Sequence, residues 1–181
     1  MARRLRAVLF DMGNTLVRDR GFESVLSESV SAALEKLTGR RIPPQEVLAL
    51  WRQEEWSRGD VELWDLARVI VLLRKIGVTP TVRLAERLYA VVLQSYLEGF
   101  ELEPGARATL RELRERGFAL GIVTNVGSYD VVKLRLESEG LLDLFDVVVA
   151  SQAFPWRKPS PRIFELACFL LGVDPAEAVY V

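Results

Sequence analysis

Short, continuous apolar runs alternate along the chain with segments of helical periodicity. The runs have the length of strands that are buried on both faces, and they span Ala7–Phe10, Ala119–Val123, Val147–Ala150 and Ala178–Val181. Helical patterns accompany the later runs and end near a glycine; they span Gly105–Arg116, Ser128–Glu139 and Pro161–Leu171. Ser160 is the expected N-cap of the last helix, because Pro161 follows it in the first turn. This order predicts an α/β fold with a doubly wound, Rossmann-like parallel sheet.

Residues 18–99 follow the first predicted strand and contain no strand-like run. Their apolar residues recur three or four positions apart, as do Leu26, Val30, Ala33 and Leu37. Pro43-Pro44 and Thr79-Pro80 are helix-entry signals within the same stretch. The pattern predicts a four-helix insertion. We therefore expect an α/β core of residues 1–17 and 100–181 and a helical cap of residues 18–99, since ligands of such sheets bind at the carboxyl ends of the strands.

Composition narrows the chemistry that is open to this chain. The formal net charge is −1, so neither nucleic acid nor an acidic membrane surface is an expected partner. The sequence contains no histidine, which excludes Ser-His-Asp and Cys-His catalysis and imidazole metal ligands. Cys168 is the single cysteine, and its apolar surroundings in the sequence predict a buried packing thiol. Without disulfides, a signal peptide or a membrane span, we expect a cytoplasmic protein.

Polar side chains follow three of the predicted strands. Asp11 comes directly after the first strand, Thr124 and Asn125 follow the second, and Lys158 lies in the loop after the third. Because the carboxyl ends of the strands converge on one crevice, we expect these residues to lie together. A carboxylate there can attack phosphorus or carbon, and a hydroxyl and backbone N–H groups can hold an oxyanion. A lysine supplies positive charge to the nucleophile and to the phosphate. The set favours phosphoryl transfer or a related displacement.

The two residues Gly13 and Asn14 indicate a tight loop behind the aspartate. Glycine permits close approach of the backbone to a ligand, and asparagine is one of the few other residues that tolerate a positive φ. We therefore expect the chain to fold closely around whatever Asp11 attacks.

On these residues the chain resembles the haloacid dehalogenase-like (HAD) hydrolase superfamily over almost its full length. VLFDMGNTLV (residues 8–17) is similar to the first family motif, in which D-x-D-x-T follows a strand. GIVTN (residues 121–125) is similar to the second motif, and the K-P-x-P-x-I-F segment that begins at Lys158 is similar to the third. The predicted insertion has the position and character of the family's C1 cap.

The resemblance implies a role for each of these residues. Asp11 would be the nucleophile and a Mg²⁺ ligand, and the backbone carbonyl of Gly13 would be a second ligand. Thr124 and Asn125 would bind the substrate phosphate. Lys158 would be catalytic and substrate-binding, because its charge neutralises the phosphate and the aspartyl-phosphate.

Two departures from the family pattern change these expectations. Most phosphatases of the family carry a second Asp where this chain has Gly13, and that residue protonates the leaving group and then activates water. In the family, the last strand leads into an acidic G-D-x-x-x-x-D segment that binds Mg²⁺, whereas this sequence closes with AEAVYV. We therefore expect the acidic segment to belong to residues of a parent protein that follow Val181.

The resemblance implies a Mg²⁺-dependent phosphatase that acts on a small phosphorylated metabolite through an aspartyl-phosphate. One alternative is a metal-independent 2-haloacid dehalogenase that uses the same aspartate, since a halide leaves without a proton. The other is a non-catalytic HAD-like binding protein, which Gly13 and the missing acidic segment favour.

Overall fold

The computed structural model describes residues 4–52 and 62–181. In chain order the elements are β1 (Ala7–Phe10), β2 (Val17–Asp19), α1 (Phe22–Thr38), α2 (Pro44–Trp51), α3 (Asp65–Lys75), α4 (Val82–Gly99), β3 (Phe100–Leu102), α5 (Ala106–Glu115), β4 (Ala119–Thr124), α6 (Tyr129–Ser138), β5 (Val147–Ala150), α7 (Pro161–Leu171) and β6 (Ala178–Tyr180). Short 3₁₀ helices span Leu142–Leu144, Ser151–Ala153 and Pro175–Glu177.

A four-stranded sheet in the order β5-β4-β1-β6 forms the centre of the α/β part. Each neighbouring pair is parallel, and the register places Phe10 opposite Ile122, Leu9 opposite Tyr180 and Thr124 opposite Ala150. The four strands lie at the predicted positions, and the prediction of an α/β fold with a parallel sheet is confirmed. All strands end at the same edge, so the polar residues that follow β1, β4 and β5 are delivered to that edge.

Helix α7 packs against the sheet and explains two features of the sequence. Its buried residues Ile163, Ala167 and Cys168 form one cluster with Leu9, Val123 and Val149. Close packing at this position requires Gly121 in β4, because a Cβ there would lie 2.7 Å from the Leu9 side chain. Cys168 is 2% exposed, which confirms the prediction of a buried thiol.

Helix α7 begins after the predicted N-cap residue. Ser160 occupies the N-cap position, but its hydroxyl makes no capping hydrogen bond. Its main-chain N–H instead donates to the carbonyl oxygen of Arg157. Because Pro161 has no N–H, the first turn has one donor fewer to satisfy.

The insertion contains the four helices α1–α4, as its periodicity predicts. Their apolar faces form a separate core that includes Leu26, Leu34, Leu72 and Leu88. Helices α1 and α4 approach closely, since a Cβ at Gly99 would lie 2.5 Å from the Cα of Phe22. Contacts divide the described chain into two units: residues 4–18, Glu62 and residues 102–181 form one, and residues 19–52 and 63–101 form the other.

Strands β2 and β3 were not expected from the sequence. They form a separate two-stranded sheet, and each is three residues long. Elements this short show no usable hydrophobic periodicity, which explains why the pattern of the insertion did not reveal them. Within residues 4–52 and 62–181, no helix combines the length and the apolar character that a bilayer crossing requires.

Candidate active site

Asp11 and Lys158 form an ion pair at the carboxyl edge of the sheet. The Lys158 Nζ lies 2.6 Å from the Asp11 Oδ2. The lysine side chain is 16% exposed and the aspartate side chain 30% exposed, so the pair is partly shielded from water but remains open to a ligand. Screening by solvent is therefore reduced, and the ammonium is well placed to stabilise negative charge on or near the carboxylate.

The loop after Asp11 is folded tightly, as predicted. Asn14 has a φ of 57°, which confirms that the loop uses the positive-φ tolerance of asparagine. The N–H of Met12 donates to the Asp11 Oδ1 at 2.7 Å, and the N–H groups of Leu16 and Val17 both donate to the Met12 carbonyl. The Met12 N–H and the Lys158 ammonium thus give each carboxylate oxygen of Asp11 one protein donor.

Position 13 has room for a side chain. A Cβ built on Gly13 would meet no atom within 4 Å, and its φ does not lie in the left-handed region. Packing therefore does not demand glycine here. The missing side chain leaves free volume beside the aspartate.

Asn125 brings the lysine segment to the aspartate. Its Oδ1 accepts the main-chain N–H of Lys158 at 2.8 Å, and its Nδ2 donates to the Lys158 carbonyl at 3.0 Å. An amide that makes both bonds to one residue mimics strand pairing and determines the position of that residue's backbone. The loop after β4 thereby holds the lysine that faces Asp11.

Thr124 lies next to this contact without joining it. It ends β4, is 4% exposed and forms no hydrogen bond with Asp11 or Lys158 in the described residues. Of the residues expected at the site, the structure links Asp11, Asn125 and Lys158 directly, and Thr124 is adjacent to them through the chain.

Tyr180 belongs to this cluster and was missed in the sequence. Its hydroxyl oxygen accepts from the Lys158 Nζ at 2.6 Å, and that ammonium also lies 5.3 Å from the centre of its ring. Burial is the main cause that raises the pKa of the Tyr180 phenol, the neighbouring Asp11 carboxylate adds to the rise, and the hydrogen bond from Lys158 opposes it. The sequence indicated only a strand residue, because AEAVYV contains no motif that marks a polar role for the tyrosine.

A second group of polar residues lies beside the first and was also missed. The Ser151 hydroxyl accepts the N–H of Val126 at 3.0 Å and donates to the Glu62 Oε2 at 3.1 Å. The same carboxylate oxygen lies 3.6 Å from the Arg157 Nη1, and the Glu62 side chain is 9% exposed. Glu62 therefore contacts Ser151, which directly follows β5, and Arg157, which precedes Lys158. A glutamate far along the insertion gives no sequence signal for such a contact.

Asp11 can supply one carboxylate to a divalent cation. Each of its oxygens accepts one hydrogen bond and keeps a further lone pair, and the side chain is partly exposed. In the part of the chain that the structure describes, no three His, Cys, Asp or Glu side chains group as metal ligands. Mg²⁺ is commonly held by one or two carboxylates together with substrate phosphate and water. The Asp11 carboxylate therefore fits as a protein ligand of a weak Mg²⁺ site.

Known proteins are similar to this chain over almost its whole length. The chain is 31% identical to glyceraldehyde 3-phosphate phosphatase of Methanopyrus kandleri, a match that covers 98% of this chain and 75% of that protein. It is 27% identical to (S)-2-haloacid dehalogenase 4A of Burkholderia cepacia, with 98% and 74% covered. The crystal structure of a HAD phosphatase from Thermococcus onnurineus superposes with a TM-score of 0.67 at 28% identity, covering 97% of this chain and 76% of that one.

The match to a protein family spans almost the whole sequence. The family described as haloacid dehalogenase-like hydrolase matches residues 5–181, which include Asp11, Asn125, Lys158 and Tyr180. The chain therefore belongs to the haloacid dehalogenase-like hydrolases.

Proposed function

We propose that this protein is a phosphatase that hydrolyses a small phosphorylated metabolite through an aspartyl-phosphate intermediate on Asp11. The observation that carries the proposal is the 2.6 Å ion pair between Asp11 and Lys158, held in place by the two-point contact of Asn125. The relative with 31% identity over nearly the whole chain is named as a phosphatase, which supports this substrate class.

The reaction proceeds in two displacements at phosphorus. The Asp11 carboxylate attacks the phosphoryl group, the bond from phosphorus to the substrate oxygen breaks, and the leaving alkoxide takes a proton from solvent because Gly13 offers none. Water then attacks the phosphorus of the aspartyl-phosphate, and the bond from phosphorus to the Asp11 oxygen breaks. The attacking water loses a proton to solvent, inorganic phosphate is released and the carboxylate is restored. Lys158 offsets the negative charge in both steps.

Mg²⁺ is the expected cofactor. Asp11 and the carbonyl of Gly13 would hold it, and when bound it supplies positive charge that screens the phosphate from the anionic nucleophile. Since the described residues offer it one carboxylate at this site, we expect weak binding that substrate phosphate strengthens.

The test is hydrolysis of an aryl phosphate by the wild-type chain and by Asp11→Asn and Lys158→Ala. We expect Asp11→Asn to lose activity to the level of a buffer blank, Lys158→Ala to keep a small residual activity that is measurable above that level, and EDTA to suppress the wild-type reaction. Asp143→Asn is the matched control, because Asp143 is an exposed carboxylate in a 3₁₀ helix. Full activity of Asp11→Asn would contradict the proposal.

A 2-haloacid dehalogenase is the second candidate. The specific observations that favour it are the 27% identity to such an enzyme over 98% of the chain and the absence of an acid at position 13. A halide needs no proton to leave, so this reaction would not suffer from Gly13. Release of halide from a 2-haloacid in the presence of EDTA would support this candidate, and an active phosphatase that releases no halide would exclude it.

A further inference from the structure

We propose that Tyr180 is a positioning residue, which holds the Lys158 ammonium against Asp11 and so aims its remaining N–H at the reacting group. The inference rests on the proposed function for its effect on catalysis. The claim that Tyr180 positions the Lys158 ammonium rests on geometry alone.

The Lys158 ammonium contacts the phenol and the carboxylate at the same distance. The Lys158 Nζ lies 2.6 Å from the Tyr180 hydroxyl and 2.6 Å from the Asp11 Oδ2. A lysine ammonium has three N–H donors, and these contacts use two of them. One N–H is left for an oxygen of the substrate. A lysine on four methylene groups is otherwise free to rotate, so two fixed acceptors select one orientation.

Tyr180 is itself held by two sets of contacts, one through its backbone and one through its ring. In the sheet, Tyr180 lies opposite Leu9. The N–H of the next residue, Val181, donates to the Leu9 carbonyl, and the Val181 carbonyl accepts the N–H of Asp11, each at 2.9 Å. Its ring packs edge-on against Phe164 with centroids 4.9 Å apart. The backbone of the nucleophile and the backbone of the tyrosine are therefore joined through one ladder, which fixes the distance between the phenol and Asp11.

The phenol acts as an acceptor for Lys158. Its own proton has an acceptor in the Val123 carbonyl oxygen, at the long distance of 3.5 Å. A tyrosine phenol has a reference pKa of about 10, so the hydroxyl is protonated and neutral at physiological pH. A neutral acceptor orients the ammonium without cancelling its charge, whereas a second carboxylate at the same place would neutralise it.

The experiment compares Tyr180→Phe with wild type. The variant keeps the ring and its contact with Phe164 and removes only the hydroxyl. Hydrogen bonds to charged groups are among the stronger ones, so we expect kcat to fall about 10-fold to 100-fold while KM changes less than about twofold. Tyr129→Phe is the matched control, because Tyr129 is 37% exposed and Tyr180 39% exposed, and in the described residues the Tyr129 hydroxyl has no partner.

A double-mutant cycle separates positioning from a structural role. If Tyr180 acts through Lys158, then Tyr180→Phe has no further effect on activity in a Lys158→Ala background. A loss of the same size in both backgrounds, or a kcat for Tyr180→Phe equal to wild type, would overturn the inference and leave the phosphatase proposal intact.

A labelling measurement keeps the inference testable if the wild-type chain shows no phosphatase activity. Brief acylation with acetic anhydride, followed by peptide mass spectrometry, reports the reactivity of Lys158 relative to Lys133, which is half-exposed and pairs loosely with Glu137. We expect Tyr180→Phe to raise the relative labelling of Lys158 several-fold and Tyr129→Phe to leave it unchanged. Unchanged labelling in Tyr180→Phe would show that the phenol does not hold the ammonium.

Discussion

Asn125 holds the backbone of Lys158 by two hydrogen bonds, one from each end of its amide. The acceptor bond measures 2.8 Å and the donor bond 3.0 Å. No other side chain in the described chain contacts both main-chain polar groups of the lysine. The position of the Lys158 backbone therefore depends on a residue that carries no charge.

The first prediction concerns this contact. Asn125→Ala leaves the N–H and the carbonyl of Lys158 without their partner, which for buried groups costs about 1–3 kcal/mol each. We expect the Lys158 segment to shift so that these groups find other partners, and this shift moves the ammonium away from Asp11. We therefore expect kcat/KM for an aryl phosphate to fall about 10-fold to 100-fold. The control is Gln152→Ala, since Gln152 makes one comparable bond to the main chain, from the N–H of Tyr129. Equal activity of the two variants would mean that the two-point contact is not needed.

The second prediction adds the acid that the loop lacks. Gly13→Asp is sterically permitted, because a Cβ at this position meets no atom within 4 Å. General acid–base assistance is worth about 10²–10⁴ in rate when well placed, so even an imperfect carboxylate should raise kcat for a poor leaving group, such as an alkyl phosphate, by about tenfold.

The contrast with two other variants isolates the proton transfer. Gly13→Asn has nearly the same shape and cannot act as an acid, and Gly13→Ala tests the effect of a side chain alone. The rate ratio between alkyl and aryl phosphates should rise for Gly13→Asp only. A rise in this ratio for all three variants would mean that a changed loop conformation, and not proton transfer, causes the gain.

Sequence reasoning located most of the fold because long apolar runs and helical periodicity are local signals. The run Val147–Ala150 and the pattern Pro161–Leu171 coincide with β5 and α7. Asp11, Asn125 and Lys158 could be grouped in advance, because parallel strands deliver their carboxyl ends to one edge. The positive φ of Asn14 could be anticipated for the same kind of reason, since few residue types tolerate it.

The parts that sequence reasoning missed depend on register and on distant contacts. Tyr180 faces Lys158 only because β6 pairs with β1 so that Leu9 lies opposite the tyrosine, and no local pattern specifies that register. Glu62 contacts Ser151 and Arg157 across a long stretch of chain. Whether residues 1–17 and 100–181 act as a core and residues 18–99 as its cap stays a prediction.

The third prediction concerns the packing of α1 against α4. Gly99→Ala would place a Cβ 2.5 Å from the Cα of Phe22, a backbone atom that cannot move away cheaply. Overpacking of this kind costs about 1–3 kcal/mol, which exceeds the gain of up to about 1 kcal/mol in helix propensity. We expect a lower urea midpoint with an unchanged slope. Gly13→Ala is the control, with a stability change within about 0.5 kcal/mol.

The fourth prediction is a pH dependence of stability. Burial raises the pKa of the Cys168 thiol, and the Asp174 carboxylate adds to the rise. A group whose pKa is higher in the folded state stabilises that state below its unfolded pKa, and the contribution is lost as the pH rises above it. The free energy of unfolding should therefore fall between pH 8 and pH 10, values that bracket the reference pKa of about 8.5 for cysteine.

The variant Cys168→Ala shows how much of this fall in the free energy of unfolding comes from the thiol. The variant should be less stable at pH 7.5 because it loses buried volume, and its stability should fall less steeply with alkaline pH than that of wild type. The Tyr180 phenol, whose pKa is also raised, remains in both proteins and cancels in the comparison. Parallel pH curves for the two proteins would contradict the assignment.

The most direct test of the account is the chemical identity of the adduct on Asp11. The wild-type chain is mixed with an aryl phosphate and Mg²⁺, quenched in acid within the first turnover, digested and mapped by mass spectrometry. We predict that the peptide containing Asp11 gains the mass of one phosphoryl group, and that Asp11→Asn gains none. Turnover of the substrate with no phosphoryl adduct at Asp11, or with the adduct on another residue, would contradict the central claim that this carboxylate is the nucleophile.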